Sequence, residues 1–421
     1  MLIRLYTALF YLSLPLVFLR ILYRSRKNSG YRKHLLERLG IVRFKLDNCI
    51  LIHAVSFGES KAAIGLINEL STKYPNSKIC VTNTTPTGRF LVEKEIDDSI
   101  YHCYLPYDLP ILINRFFNKV RPKLLILMET EIWPNLNIIC QKRSIPIVLA
   151  NARLSDKSSH GYSRFSKTTA KMLNPINHIA AQYENDANNF KKLGVDSGRV
   201  TITGNIKFDM AIDQTIYIQA EKLKAQIIKA KGANNIWIAA STHRGEDEIV
   251  LSAHAKILKQ FPDALLILVP RHPERFKEVT ALAKAKFNTI TRSSVNLIKA
   301  NTKVYIGNTM GELLMLYKTA EVAFVGGSIT TQGGHNIIEP AALEVPIITG
   351  PNMKNFKQIN KLFTQADAKL TATNVESLTD CVVTLFKNPE KRNKLIENGK
   401  QIALQNKGAL KRLLNCIDEF I

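Results

Sequence analysis

Short apolar runs alternate with helical patterns from Cys49 almost to the end of the chain, and that rhythm narrows the possible fold more than any other feature. In the first half the runs are Cys49–Val55, Lys78–Val81, His102–Leu105, Leu124–Met128, Pro146–Ala150, His178–Ala181 and Val200–Thr203. Such near-continuous Val, Ile and Leu segments predict strands buried on both faces. Helical stretches separate them, for example Lys61–Leu70 and the residues after Trp133-Pro134. Strands separated by helices predict a parallel sheet covered on both sides. Residues 211–234 interrupt the rhythm with a charged helix and a turn, QAEKLKAQIIKAKGANN. It then restarts with Ile236–Ala240, Ala264–Val269, Val304–Ile306, Val322–Val325 and Pro346–Thr349, and ends in the mostly helical Lys387–Ile421. At 421 residues the chain is too long for one core. The expectation is an N-terminal Rossmann-like domain over residues 24–212 and a C-terminal one over residues 213–421.

In open parallel sheets, ligands bind beyond the carboxyl ends of the strands. The polar and glycine-bearing segments fall there: His53–Ser60, Thr82–Gly88, Glu129–Trp133 and Gly204–Asp209, then Ser241–Asp247, Pro270–Arg275, Gly307–Glu312 and Gly326–Glu339. Two sheets lined in this way suggest a cleft between domains. The stretch Val322–Pro351 is the most explicit: a strand, a glycine-rich loop, a helix starting near His335–Asn336 with Pro340 in its first turn, and another strand. Free amides at such a helix start attract phosphate, and Glu339 suits ribose hydroxyls. A tight turn with a dipole-paired glutamate has the same pattern.

Two carboxylate motifs suit acid–base chemistry. Glu59 in HAVSFGES sits where the first strand meets its helix, which favours its charged form. A base must be ionised at neutral pH, although a helix-start glutamate without catalytic duty has the same spacing. Glu129 and Glu131 flank Thr130 in ETEIWPNL. Carboxylates so close repel, so at least one needs a cation, and Lys207 in GNIKFD is the candidate. Arg271 in VPRHPERF suits phosphate or carboxylate. His243 and His272 lack a spacing that demands a metal. No P-loop, no dinucleotide GxGxxG after a strand and no GxSxG elbow is present.

Residues 1–23 are apolar apart from Arg4 and Arg20, but the uninterrupted part, Leu5–Leu19, is short for a full span and contains Pro15. Arg24, Arg26, Lys27, Arg32 and Lys33 follow. A spanning helix, an interfacial helix and a signal peptide are all compatible with the apolar run, and the missing A-x-A site disfavours the last. The basic flank predicts a body on the cytoplasmic side and affinity for anionic lipid. The net charge of +23 calls for an anionic partner. Nucleic acid is disfavoured, because the aromatics lie within apolar runs instead of along a basic groove. The six cysteines include no CxxC pair, so neither a zinc site nor a disulfide framework is indicated.

Taken in order, HAVSFGES, TNTTPTG, YLPYDLP, ETEIWPN, NARLSDKSSHGY, TGNIKFD, ASTHRGED, VPRHPERF, GNTMGELL and VGGSITTQGGHNIIEPAA resemble the sequence blocks of the 3-deoxy-D-manno-octulosonic acid (Kdo) transferases. The likeness runs over about residues 1–360. It implies the α/β GT-B fold: two Rossmann-like domains facing a cleft, behind an N-terminal membrane-anchor helix. It also implies transfer of Kdo from CMP-Kdo to lipid A precursor with inversion, at the bacterial inner membrane, with no metal. Glu59 matches the family's general base, and Glu129 and Lys207 match its transition-state stabilisers. The CMP contacts fall on Pro270, Arg271, Met310, Gly311, Glu312, Asn336, Ile337, Ile338 and Glu339. Phe57 departs from the valine that the family often has there. The rival within the fold is a UDP-sugar-dependent transferase acting on another lipid acceptor, or a sugar-nucleotide epimerase; physics alone does not separate CMP from UDP, which share ribose and phosphate.

Overall fold

The structure is a computed structural model, and it describes residues 2–26, 29–210, 212–232, 235–294 and 297–421. The chain forms two α/β units, Met1–Ala211 with Asn406–Ile421, and Ile212–Gln405.

The first unit holds a seven-stranded parallel sheet: β1 (Cys49–His53), β2 (Ile79–Asn83), β3 (Tyr101–Tyr104), β4 (Pro122–Met128), β5 (Ile147–Ala152), β6 (His178–Ala181) and β7 (Val200–Ile202). Their order is β3-β2-β1-β4-β5-β6-β7. Both faces are buried, as the unbroken apolar runs require. Leu51, Leu125 and Leu127 enter one core, while Ile50, Ile52, Leu124 and Ile126 enter the other. The order reverses between β1 and β4, which makes the space beyond their carboxyl ends the topological switch point. His53 of β1 pairs with Leu127 of β4 there.

The second unit repeats the plan with β8 (Ile236–Thr242), β9 (Leu265–Pro270), β10 (Thr289–Thr291), β11 (Val304–Ile306), β12 (Val322–Val325), β13 (Ile347–Thr349) and β14 (Lys369–Thr371). The order is β10-β11-β9-β8-β12-β13-β14, again parallel, with its switch point between β8 and β12. The sequence rhythm does not reveal β10 and β14. Both are three-residue edge strands, too short for a period and bonded on one side only.

The expected second domain, residues 213–421, differs at its end. The last helix, Ala409–Asp418, returns to the first unit and buries Ala409, Leu413 and Ile417 against Ala63, Leu66 and Ile67 in its core. Asp209 holds the start of that helix by accepting from the amides of Gly408 and Leu410, both at 2.6 Å.

The apolar N-terminus is one unbroken helix, Leu2–Ser25, which carries Pro15 inside it. It is long and apolar enough to cross a membrane by length and composition. Lys27 of the basic cluster, and Ala233 and Asn234 of the expected turn after the helix Gln214–Lys231, lie outside the described residues.

Candidate active site

Glu59 lies beside the first unit's switch point. Ser56 caps the helix Phe57–Lys73, and Glu59 stands three residues on, where a capping-box glutamate belongs. Its carboxylate accepts from the Val55 amide at 2.8 Å and from the Ser56 hydroxyl at 2.9 Å. The plain helix-start role is therefore filled. Burial raises the carboxyl's pKa from its ordinary value, and Glu129 adds to this; the Val55 amide, Ser56 and Lys207 oppose it.

Glu129 follows β4 on the other side of the switch point and is 8% exposed. Its backbone is left-handed, φ 56°. Strain of this kind in a side-chain-bearing residue persists only where the surroundings impose it. Here the Glu129 amide donates to Ala150 and its carbonyl accepts from Arg153. The carboxylate meets Lys207 Nζ at 2.6 Å and the Arg153 guanidinium at 3.8 Å. The motif spacing thus resolves asymmetrically. Glu129 receives the cations, whereas burial and the neighbouring Glu59 push Glu131 up to about 7.

Lys207 is placed by a buried polar network that motif reading overlooks. Asn205 Oδ1 accepts from the Lys207 amide at 3.0 Å, and Asn205 Nδ2 donates to Gln182 at 3.1 Å. Gln182 donates to the Asn151 carbonyl at 2.8 Å, and Asn151 Oδ1 accepts from the Ile206 amide at 3.1 Å. Asn151 is also left-handed, φ 52°, where β5 shifts register against β6. Such irregularities re-aim strand ends. The clue lay in asparagine and glutamine just after buried runs, a pattern shared with many plain loops.

The second unit's switch point is built around a buried carboxylate. Glu246 is fully buried and accepts four amides: His243 at 3.0 Å, Gly327 at 2.6 Å, Ser328 at 3.0 Å and Ile329 at 3.0 Å. Those donors replace the water that a buried charge loses. Gly326 is required beside it, since a Cβ there would stand 2.7 Å from the Ser241 carbonyl. The expectation of free phosphate-binding amides at the helix start needs correction in part. The Gly327 carbonyl takes the amides of Gly333 and Gly334, and Glu246 takes those of Gly327, Ser328 and Ile329 in the loop before them. The helix starts at Ile338, not near His335, and Asn336 Oδ1 already accepts the Ile338 amide at 3.1 Å.

Of the expected nucleotide contacts, Arg271 and Glu339 are brought within electrostatic reach of each other: burial lowers the Arg271 pKa and Glu339 opposes that shift. Glu312 forms an ion pair with Arg292 at 2.7 Å beside Gly311, whose φ is 87°. Pro270 ends β9, and Met310 is exposed. Ile337 and Ile338 are buried, so only their backbone is available to a ligand. Three histidines lie within electrostatic reach of Arg271. His243 and His335 stack at 5.1 Å, with their Nε2 atoms hydrogen-bonded at 2.8 Å, and His272 stands edge-on to His243 at 5.3 Å. Burial lowers all three, His335 to about 3, with Arg271 contributing to each. The lowered values bias all three towards the neutral form, beside the guanidinium of Arg271. Among the described residues, no group of three or more His, Cys, Asp or Glu is placed to hold a metal ion.

Comparison with known proteins gives a consistent picture. Residues 33–210 match the family described as 3-Deoxy-D-manno-octulosonic-acid transferase (kdotransferase), and residues 237–402 match Glycosyl transferases group 1. The chain is 41% identical to 3-deoxy-D-manno-octulosonic acid transferase of Haemophilus influenzae, over 99% of this chain and 98% of that protein. It is 30% identical to the enzyme of the same name from Bordetella pertussis, over 88% of this chain and 87% of the relative. Among solved structures, UDP-GlcNAc 2-epimerase from Neisseria meningitidis bound to UDP-GlcNAc aligns with a TM-score of 0.58 over 88% of this chain and 99% of that chain. At 16% identity that likeness reports the fold alone.

Proposed function

This chain belongs to the 3-deoxy-D-manno-octulosonic acid transferase family, and on that premise we propose how its residues divide the reaction. The enzyme is a glycosyltransferase that moves Kdo onto lipid A precursor in lipopolysaccharide synthesis. Its donor is CMP-Kdo. Glu59 takes the proton of the acceptor hydroxyl. That oxygen bonds to the anomeric carbon while the bond from this carbon to the phosphate oxygen breaks. The electron pair leaves with CMP, and one displacement inverts the centre.

The observation that carries this reading is the pairing of Lys207 with Glu129 at 2.6 Å beside Glu59, at the first sheet's switch point. It supplies a base and a fixed dipole of charges where the acceptor must be activated. Arg271 holds the leaving phosphate, with Glu339 on the ribose. Met310, Gly311, Glu312 and the Asn336–Ile338 backbone complete the CMP contacts. The apolar helix and its basic flank keep the enzyme on anionic lipid at the cytoplasmic face of the inner membrane, where a phosphorylated, acylated acceptor resides.

Calorimetry with CMP and UDP on the full chain tests the donor assignment. CMP binds more tightly, and Arg271→Ala weakens it about tenfold or more, the loss of one charge-assisted contact. A preference for UDP, or CMP binding untouched by the substitution, sinks this donor assignment.

A further inference from the structure

The N-terminal helix is docked on the first unit from Tyr6 to Phe18. Tyr6, Thr7, Phe10, Phe18, Ile21 and Ser25 form one stripe at helical spacing, and all are partly or fully buried. Thr7 Oγ1 donates to Asn135 Oδ1 at 3.1 Å. Tyr6 lies beside Asp108, which itself accepts the amides of Asn135 and Leu136 at 3.1 and 2.8 Å. Phe10 and Phe18 both stand edge-on to Tyr107, at 6.0 and 6.4 Å. Past this docked stripe Arg24 packs locally over the Tyr31 ring at 5.7 Å, seven residues further along the chain.

These contacts are incompatible with a helix that leaves the protein body to cross a bilayer. Such a helix meets its body at one end only. Here the contacts with the body run from Tyr6 to Phe18, about 18 Å of helix axis, more than half of the roughly 30 Å of a hydrocarbon core. If the helix spanned, Asp108, Asn135 and their amides would lie at membrane depth, where polar groups cost several kcal/mol each. The opposite face tells what covers it. Leu5, Leu9, Leu12, Leu16 and Leu19 form a second stripe, between 52% and 77% exposed. Arg4 and Arg20 flank that stripe on the helical wheel, one on each side, and Arg24, Arg26, Arg32 and Lys33 follow. Apolar centre and cationic margins complement the headgroup–acyl boundary of an anionic leaflet.

We propose that residues 2–25 lie in the plane of the membrane surface, with Tyr6, Phe10 and Phe18 holding the enzyme and the leucine stripe entering the leaflet. The helix is thus a monotopic anchor, not a span. This rests on the membrane association proposed above and deepens it.

Spin labels placed by Leu5→Cys, Leu12→Cys and Leu19→Cys, one per full-length protein, on vesicles of anionic phospholipid test it, with the unsubstituted chain as background. Depth is read from oxygen against nickel-chelate accessibility. An in-plane helix gives the same depth at all three positions. A label at position 12 lying about 10 Å deeper than those at 5 and 19 means a span and overturns the proposal. Protein that does not bind the vesicles removes membrane association itself, and the in-plane anchor with it.

Discussion

Glu59→Gln cuts sugar transfer to a small residual rate while CMP still binds with its original affinity. The size of the loss is that of removing a positioned general base, about a hundredfold to ten-thousandfold in kcat. Glutamine is the informative substitution because of what else Glu59 does. Its carboxylate accepts from Val55 and Ser56 at the start of the helix Phe57–Lys73. Alanine would strip that arrangement and cost about 0.5–2 kcal/mol of stability, the range for a helix cap. Glutamine is also a capping-box residue at this position, so its amide oxygen keeps a capping bond while the proton-accepting charge is lost. A variant that melts with the parent yet fails to transfer isolates the chemical role. The pH profile adds a second check. Burial raises the Glu59 pKa, so the parent's rate falls on acidification as that carboxylate protonates. The residual rate of the variant lacks that acidic limb. Turnover near the parent's removes Glu59 from the mechanism and leaves it a capping residue.

Lys207→Met costs about a hundredfold to a thousandfold in transfer, the size expected for one aligned electrostatic stabiliser, and moves the acidic limb to higher pH. The sign follows from the contacts. Lys207 holds Glu129 at 2.6 Å and favours the ionised form of Glu59. Without it, two carboxylates face each other with Arg153 at 3.8 Å the nearer remaining cation. Their repulsion raises the Glu59 pKa further, so more alkaline solution is needed to ionise the base. Lys207→Arg keeps the charge in a bulkier fork and recovers part of the rate and most of the pH position. A loss of transfer with an unmoved acidic limb separates Lys207 from Glu59 and contradicts the coupling.

The strand rhythm made most of the architecture legible. The five inner strands of the first sheet stand in the sequence as apolar runs, because a strand buried on both faces must be apolar throughout, and its more exposed edge strands Tyr101–Tyr104 and Val200–Ile202 follow the same rhythm. The edge strands Thr289–Thr291 and Lys369–Thr371 were hidden for the opposite reason, since three residues with one bonded neighbour need little apolar character. The return of Ala409–Asp418 to the first unit was equally invisible. An amphipathic helix declares that it has a buried face, but not which core receives it. In the site, Glu59, Glu129 and Lys207 were nameable because charged residues directly after buried runs stand out. Their supports, Asn151, Gln182 and Asn205, were not, because an amide side chain matters here only through partners distant in sequence. The glycine-rich stretch misled in one respect: the helix was expected near His335 with free amides, while it starts at Ile338, whose amide Asn336 Oδ1 takes, and the Gly327 carbonyl takes those of Gly333 and Gly334.

The measurement that tests the account most directly is transfer by the purified full-length protein in detergent, with CMP-Kdo and a tetra-acylated lipid A precursor, chelator present, and products read by mass. The account predicts a gain of one or more Kdo units on the lipid with stoichiometric release of CMP. An unchanged lipid mass, from protein that binds CMP and is folded, contradicts it.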